Sequence, residues 1–291
     1  LGGHSLVGLQ LLGQVEEKFG RSLSLKYLFQ APTIAAFAKV LEKEGSAVEL
    51  TNLSPIQPEG NKIPFFCVHG DEANYFIPRY LGTDQPFYGF FHQGEDGSPM
   101  RYTTVHDIAE HFINEMLFVR PHGPYLLAGY SFGGLVAFEM AQQLTAAGHD
   151  VPLLVMLDTY APHLFVDVMK GEEKFYDPLK KMVMRQLVKL KRRNGKLENP
   201  KLRHFHIIDT YDEAIKRYEP KPYAGPVTVL RAEASPGEDM GWGKIVTGPV
   251  EVRVVPGDHY NMIKEPQVRK LVQELSACID HAVSRHSVEA V

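Results

Sequence analysis

From residue 62 onward, short and continuously apolar segments alternate with helical stretches, and few architectures can bury such a pattern. The apolar runs are Pro64–His69, Pro86–Phe90, Tyr125–Gly129, Pro152–Asp158, Val227–Ala232 and Val250–Val255. Helical patterns lie between them at Val105–Val119 and Gly133–Ala147, and a last one runs from Pro266 to about Arg285. A strand that is apolar at every position has no face for water, so helices must cover both faces of the sheet it joins. That is the signature of an α/β fold with a mostly parallel sheet. Residues 161–220 interrupt the alternation with helical sequence and no strand-like run. An insertion of that length between two strands is expected to sit over one end of the sheet as a helical lid.

The first 44 residues differ in style. Leu9, Leu12, Val15 and Phe19 share one helical face, Gly20 stops it, and Pro32-Thr33 starts a second helix with Ile34, Phe37 and Leu41 on one side. Residues 45–61 hold turn formers, two prolines and no sustained period, and read as a linker. The opening Leu1-Gly2-Gly3-His4-Ser5-Leu6 is an unnatural start for a domain, so the helical segment is expected to lack an upstream piece. A net charge of −4 gives no argument for nucleic acid. Two cysteines, Cys67 and Cys278, cannot build a disulfide framework, and both sit in apolar runs as packed thiols. With no long apolar span and no signal peptide, a cytoplasmic protein is expected.

Gly129-Tyr130-Ser131-Phe132-Gly133 joins an apolar strand to an apolar helix, the strand–turn–helix of a nucleophile elbow. A serine hydroxyl needs a base to take its proton. Of thirteen histidines, His259 is chosen by position, after the last strand and before the final helix. Asp258 is its neighbour, but adjacent side chains in an extended loop point apart. Two places offer an orienting acid: Asp158 at the end of the strand after the elbow helix, and Glu233, Glu238 or Asp239 after the strand Val227–Ala232. Asp158 is preferred because it ends its strand without a gap, which gives the Ser…Asp…His order of an α/β-hydrolase. The oxyanion needs backbone N–H donors; Phe132 supplies one, and the loop His69-Gly70-Asp71-Glu72 supplies the other, placed at Asp71. His69 is read as shaping that loop rather than as a base.

These residues resemble the thioesterase domain that ends nonribosomal peptide and polyketide synthases. The likeness rests on Phe65-Phe66-Cys67-Val68-His69-Gly70, Gly129-Tyr130-Ser131-Phe132-Gly133-Gly134, Leu157-Asp158 and Gly257-Asp258-His259, and covers residues 62 to about 285. The first segment similarly resembles the back two-thirds of a peptidyl carrier protein, through Leu-Gly-Gly-His-Ser-Leu and Phe29-Gln30-Ala31-Pro32-Thr33. The resemblance implies a partial carrier at 1–44, a linker at 45–61 and a thioesterase domain at 62–291. It implies 4′-phosphopantetheine attached covalently to Ser5, upstream synthase modules in the same polypeptide, a phosphopantetheinyl transferase and a carrier-bound acyl substrate. It also supports Asp158 as the acid. It departs at Gly70-Asp71, where many relatives have Pro followed by a small or apolar residue. A carboxylate beside a developing oxyanion opposes it, so either the Asp71 side chain points away or the donor is another residue.

The expected activity is release of an acyl or peptidyl chain from the arm on Ser5 through a Ser131 ester, by hydrolysis or cyclisation. A general carboxylester hydrolase fused to a helical segment is the alternative, and an inactive docking module is the third reading. Within the lid, Lys180 to Arg193 holds no acid, and Val183, Leu187 and Leu190 recur at helical spacing. A solvated helix over the sheet is the plain reading. The sharper one is that its charge attracts the pantetheine phosphate or an acidic carrier surface.

Overall fold

A computed structural model of the chain describes residues 11, 14–15, 18–19, 33–42, 50–69, 71–165, 178–192 and 195–289. The Leu1–Leu6 motif with Ser5, Gly70 and the stretch 166–177 lie outside them. Ahead of the sheet, α1 spans Ile34–Glu42, with Phe37 and Leu41 half-buried and Ile34 exposed.

The sheet has seven strands in the order β1-β3-β2-β4-β5-β6-β7. They are β1 (Leu53–Gln57), β2 (Phe65–Val68), β3 (Phe87–Phe90), β4 (Leu126–Tyr130), β5 (Leu153–Leu157), β6 (Val227–Ala232) and β7 (Val250–Val255). All pairings are parallel except β1 with β3. Each central strand sends alternate side chains to opposite faces. Phe66, Val68 and Leu127 enter one apolar cluster, while Phe65, Cys67, Leu126 and Ala128 enter the other. The first cluster is closed by α4 (Val105–Val119) and α5 (Phe132–Ala146), and the second by α8 (Val268–Glu289) and residues of the short α2 (Asp71–Phe76). A further short helix, α3 (Pro78–Leu81), follows α2. Burial on both faces explains why the runs that form β2, β4 and β5 contain no polar alternation, whereas the edge strand β7 alternates valine with Glu251 and Arg253 and is only partly buried.

Strand β1 lies inside the stretch expected to be a linker, which is a correction to that reading. Leu53-Ser-Pro-Ile-Gln shows no alternation and contains Pro55, which lacks an N–H for the ladder. An edge strand tolerates such a residue because one of its sides is unpaired. The register with β3 also shifts between Pro55 and Gln57. What fixes the strand's start is Glu115 of α4. Its carboxylate accepts from the backbone N–H groups of Thr51 (2.7 Å), Asn52 (3.0 Å) and Leu53 (2.6 Å), and from the Thr51 hydroxyl (2.6 Å).

Between β5 and β6 the chain forms α6 (Pro178–Lys191) and α7 (Pro200–Lys216). The Asn199 carboxamide caps α7 through the N–H groups of Lys201 and Leu202, with Pro200 in the first turn. The inner face of α7 carries Ile207, Tyr211, Ala214 and Ile215 into the main core. α6 rests on α7 rather than on the sheet. Val188 packs with Leu197, Leu202 and Phe205, and Lys181 and Arg185 reach Asp209, Asp212 and Glu213 at 2.7–3.3 Å. The acid-free run therefore finds its acids on the next helix. No described helix is long and apolar enough to cross a membrane.

Candidate active site

Ser131 stands between β4 and α5 with φ 53° and ψ −124°, a backbone conformation that a side chain makes costly. The turn is tight enough to require glycine. A Cβ on Gly129 would lie 2.1 Å from the Gly133 carbonyl oxygen, and one on Gly133 would lie 2.1 Å from that of Val68. The Ser131 N–H donates to the Leu157 carbonyl at 3.1 Å, and its own carbonyl accepts from the Thr159 hydroxyl at 3.1 Å. The elbow is thus tied to the end of β5, where Asp158 begins.

His259 follows β7 and meets both other members of the expected triad. Its Nε2 lies 3.1 Å from Ser131 Oγ, and its Nδ1 lies 2.8 Å from Asp158 Oδ2. An Nδ1–H donating to the carboxylate leaves Nε2 as the acceptor for the serine proton. The Asp158 side chain is fully buried, and its backbone takes a positive φ of 45°. Its Oδ1 accepts from the Ala232 N–H at 2.8 Å, and its Oδ2 also accepts from the Ser235 hydroxyl at 2.8 Å.

The other acids are occupied elsewhere or open to water. Asp258 closes its own turn by accepting from the N–H groups of Tyr260 and Asn261 at 2.9 Å each. Asp239 accepts from Gly241 and Gly243, and although burial raises its carboxyl, these backbone donors hold it below the usual range. Glu233 and Glu238 are exposed.

Two supports of the site escaped the sequence. Ser235, 7% exposed, sits in the loop after β6, in the run Ser235-Pro236-Gly237. Tyr130, the variable residue before the serine, stacks on the His259 imidazole with centroids 5.0 Å apart and planes 18° apart. Its hydroxyl donates to the His259 carbonyl. Burial, reinforced by the negative charge of Asp158, pushes the Tyr130 phenol far up, so it remains a donor. A tyrosine in that motif position carries no mark of this contact.

Phe132 and Asp71 are the first residues of α5 and α2, where backbone N–H groups have no partner within the helix. Of the Asp71 side chain nothing is described. His69 follows β2 directly, with φ 50°, and is buried. Its ring packs among His92 (4.1 Å), Tyr211 (5.4 Å) and Phe132 (5.6 Å), and neither ring nitrogen has a partner among the described residues. Burial first, then the nearby His92, holds His69 well below the ordinary imidazole value, so it is neutral. It packs beneath the loop and lies outside the triad. Tyr211 of α7 stacks on Phe132 at 4.1 Å and 14°, joining the lid to the elbow.

Residues 79–279 match a family model described as a thioesterase domain, and residues 1–41 match one described as a phosphopantetheine attachment site, a domain that carries the arm covalently. A dimodular nonribosomal peptide synthase of Bacillus subtilis (strain 168) is 33% identical over 86% of this chain. Malpibaldin synthetase of Mortierella alpina is 37% identical over 60% of it. The chain spans only 12% and 3% of those two proteins. Among solved structures, the NocB thioesterase domain, captured in covalent complex with a fluorophosphonate nocardicin G analogue, superposes with a TM-score of 0.60. The match is 24% identical, over 80% of this chain and 99% of that one. At that identity the superposition shows the fold.

Proposed function

The chain belongs to the thioesterase domain family, and we propose that Ser131 is the nucleophile with which it releases an acyl or peptidyl chain from a phosphopantetheine carrier. The observation that carries this is the unbroken relay from Ser131 Oγ through His259 to the buried Asp158. The domain reading that goes with it takes residues 1–44 as part of the carrier, with the arm on the Ser5 hydroxyl. Upstream modules of a synthase deliver the chain, and a phosphopantetheinyl transferase loads the arm. The arm supplies an acyl thioester at the end of a flexible chain.

His259 Nε2 takes the Ser131 proton as Oγ attacks the thioester carbon. Backbone N–H groups of Phe132 and of the loop after β2, at Asp71, hold the oxyanion; each such donor is worth about 3 kcal/mol. His259 then returns the proton to the departing sulfur, which leaves an acyl ester on Ser131. A second nucleophile, water or a group within the bound chain, gives its proton to His259 and attacks that ester, and Ser131 recovers its hydrogen. Asp158 keeps the imidazole in the tautomer this requires and faces the positive charge that forms on it.

The test uses the full synthase. Ser131→Ala leaves loading of the carrier intact and stops release, measured by mass spectrometry of arm-bound and free product. Continued release by that variant refutes the assignment.

A further inference from the structure

The oxyanion loop and the base come from distant parts of the chain, and an ion pair joins them. Lys264, in the loop that carries His259, reaches the Glu72 carboxylate at 2.8 Å. Glu72 directly follows Asp71, whose backbone N–H is the expected oxyanion donor. Lys264 is more than a loose surface arm, because from Asp258 to Val268 the chain is a series of closed turns. The Asn261 carboxamide oxygen accepts from the Asp258 N–H at 2.8 Å, and the Asp258 carbonyl from the Met262 N–H at 3.1 Å. The Asn261 carbonyl accepts from the Lys264 N–H at 2.9 Å, and the Lys264 carbonyl from the Val268 N–H at 2.8 Å. Met262 and Ile263 are buried. His259 and Lys264 therefore belong to one stiff unit.

Glu72 sits in a short helix with an anchor of its own. Ala73 and Asn74 of α2 are buried, and the Asn74 carboxamide donates to the Phe90 carbonyl at the end of β3 at 3.3 Å. That bond fastens α2 to the sheet, while Glu72 fastens it to the His259 unit. The pair also stands close to the reacting groups. Burial first, then the negative charges of Asp158, Tyr260 and Glu72, pushes up the phenol of Tyr130, whose ring stacks on His259. A carboxylate in the loop that must hold an oxyanion opposes the reaction unless a cation answers it. Lys264 supplies that cation.

We propose that Lys264 and Glu72 are a positioning pair for release: their ion pair holds the oxyanion loop in register with His259 and compensates the Glu72 charge beside the developing oxyanion. This rests on the proposed function. The Lys264 side chain is 40% exposed and that of Glu72 21%, so water takes part of the interaction and the effect is modest.

The test is thiol release from an acyl thioester by the full chain. The rate is counted per Ser131 labelled by a serine-directed fluorophosphonate, so that unfolded protein does not enter it. Lys264→Gln lowers kcat roughly two- to tenfold and leaves KM unchanged, while Lys264→Arg keeps most of the rate. Glu72→Gln/Lys264→Gln is no slower than Lys264→Gln, because the same pair cannot be broken twice. Wild-type kcat in Lys264→Gln, a loss confined to KM, or losses that multiply in the double variant overturns the proposal. A wild type that releases no thiol refutes the proposed function and the pair with it. A wild type that releases thiol, with Lys264→Gln its equal, refutes the pair alone.

Discussion

Replacing Ser235 by alanine tests whether the Asp158 carboxylate acts as a held group or merely as a nearby charge. The carboxylate is fully buried and receives three donors at 2.8 Å each, from Ala232 N–H, the Ser235 hydroxyl and His259 Nδ1–H. Two of these, Ser235 and His259, converge on Oδ2. Ser235→Ala leaves that oxygen with the imidazole alone, in a place where water does not restore the bond. A hydrogen bond to a charged group contributes about 1.5–3 kcal/mol. At about 1.4 kcal/mol per factor of ten, kcat falls roughly 10- to 100-fold. The ceiling is the cost of removing the orienting carboxylate itself, on the order of 10⁴. KM stays unchanged, because Ser235 contacts Asp158 from behind. The assay is initial-rate release of thiol from an acyl thioester, with Ser235→Thr as the variant that keeps a donor and most of the rate. Wild-type kcat in Ser235→Ala, or a loss confined to KM, refutes the reasoning. So does full additivity with Asp158→Asn, since a hydroxyl that works through the carboxylate has nothing left to support once the carboxylate is gone.

Gly133→Ala places a Cβ 2.1 Å from the Val68 carbonyl oxygen at the end of β2. A cost of at least about 3 kcal/mol is expected, which lowers the melting temperature by roughly 6–12 °C; an unchanged melt shows the turn to be looser than described. His69 is held neutral below its ordinary 6.5, so its contribution to stability is complete above that pH and is lost as pH falls towards its folded value, because the unfolded chain takes up the proton first. Thermal melts from pH 7 to pH 5 should fall less steeply for His69→Phe than for the wild type, and parallel curves contradict the reading. Tyr130→Phe keeps the ring stack on His259 and loses the hydroxyl contact to its carbonyl. It costs about 1 kcal/mol and a few-fold in kcat, read from denaturation and steady-state rates; no change in either leaves the hydroxyl without a positioning role.

The buried strands were legible because burial on two faces leaves a continuous apolar run. Val227–Ala232 matches β6 residue for residue; Val250–Val255 matches β7 as closely, although β7 is a half-exposed edge strand that alternates valine with Glu251 and Arg253. Strand β1 was not, because an edge strand with Pro55 needs neither alternation nor a full ladder. In the site, Ser131, Asp158 and His259 were marked by where they fall relative to strands, and their side chains meet as that placement requires. Ser235 carried no such mark. A hydroxyl in a Ser-Pro-Gly loop looks the same whether it faces water or a buried carboxylate, and only the return of that loop over Asp158 decides between them. The pairing of Lys181 and Arg185 with Asp209 was hidden for a similar reason, since donors and acceptors lie on different helices.

The Glu115 clamp changes the length of the leash on which a carrier at residues 1–44 would swing. A linker running freely to residue 61 would add eleven residues beyond Leu50, roughly 35–40 Å at full extension. With Thr51, Asn52 and Leu53 fastened to α4 and Leu50 packed on the main core, that slack is withdrawn. A shorter leash confines the delivered thioester to a smaller volume and raises its effective concentration at the nearest face of the domain. If residues 1–44 are the carrier, one buried carboxylate sets the radius of its delivery.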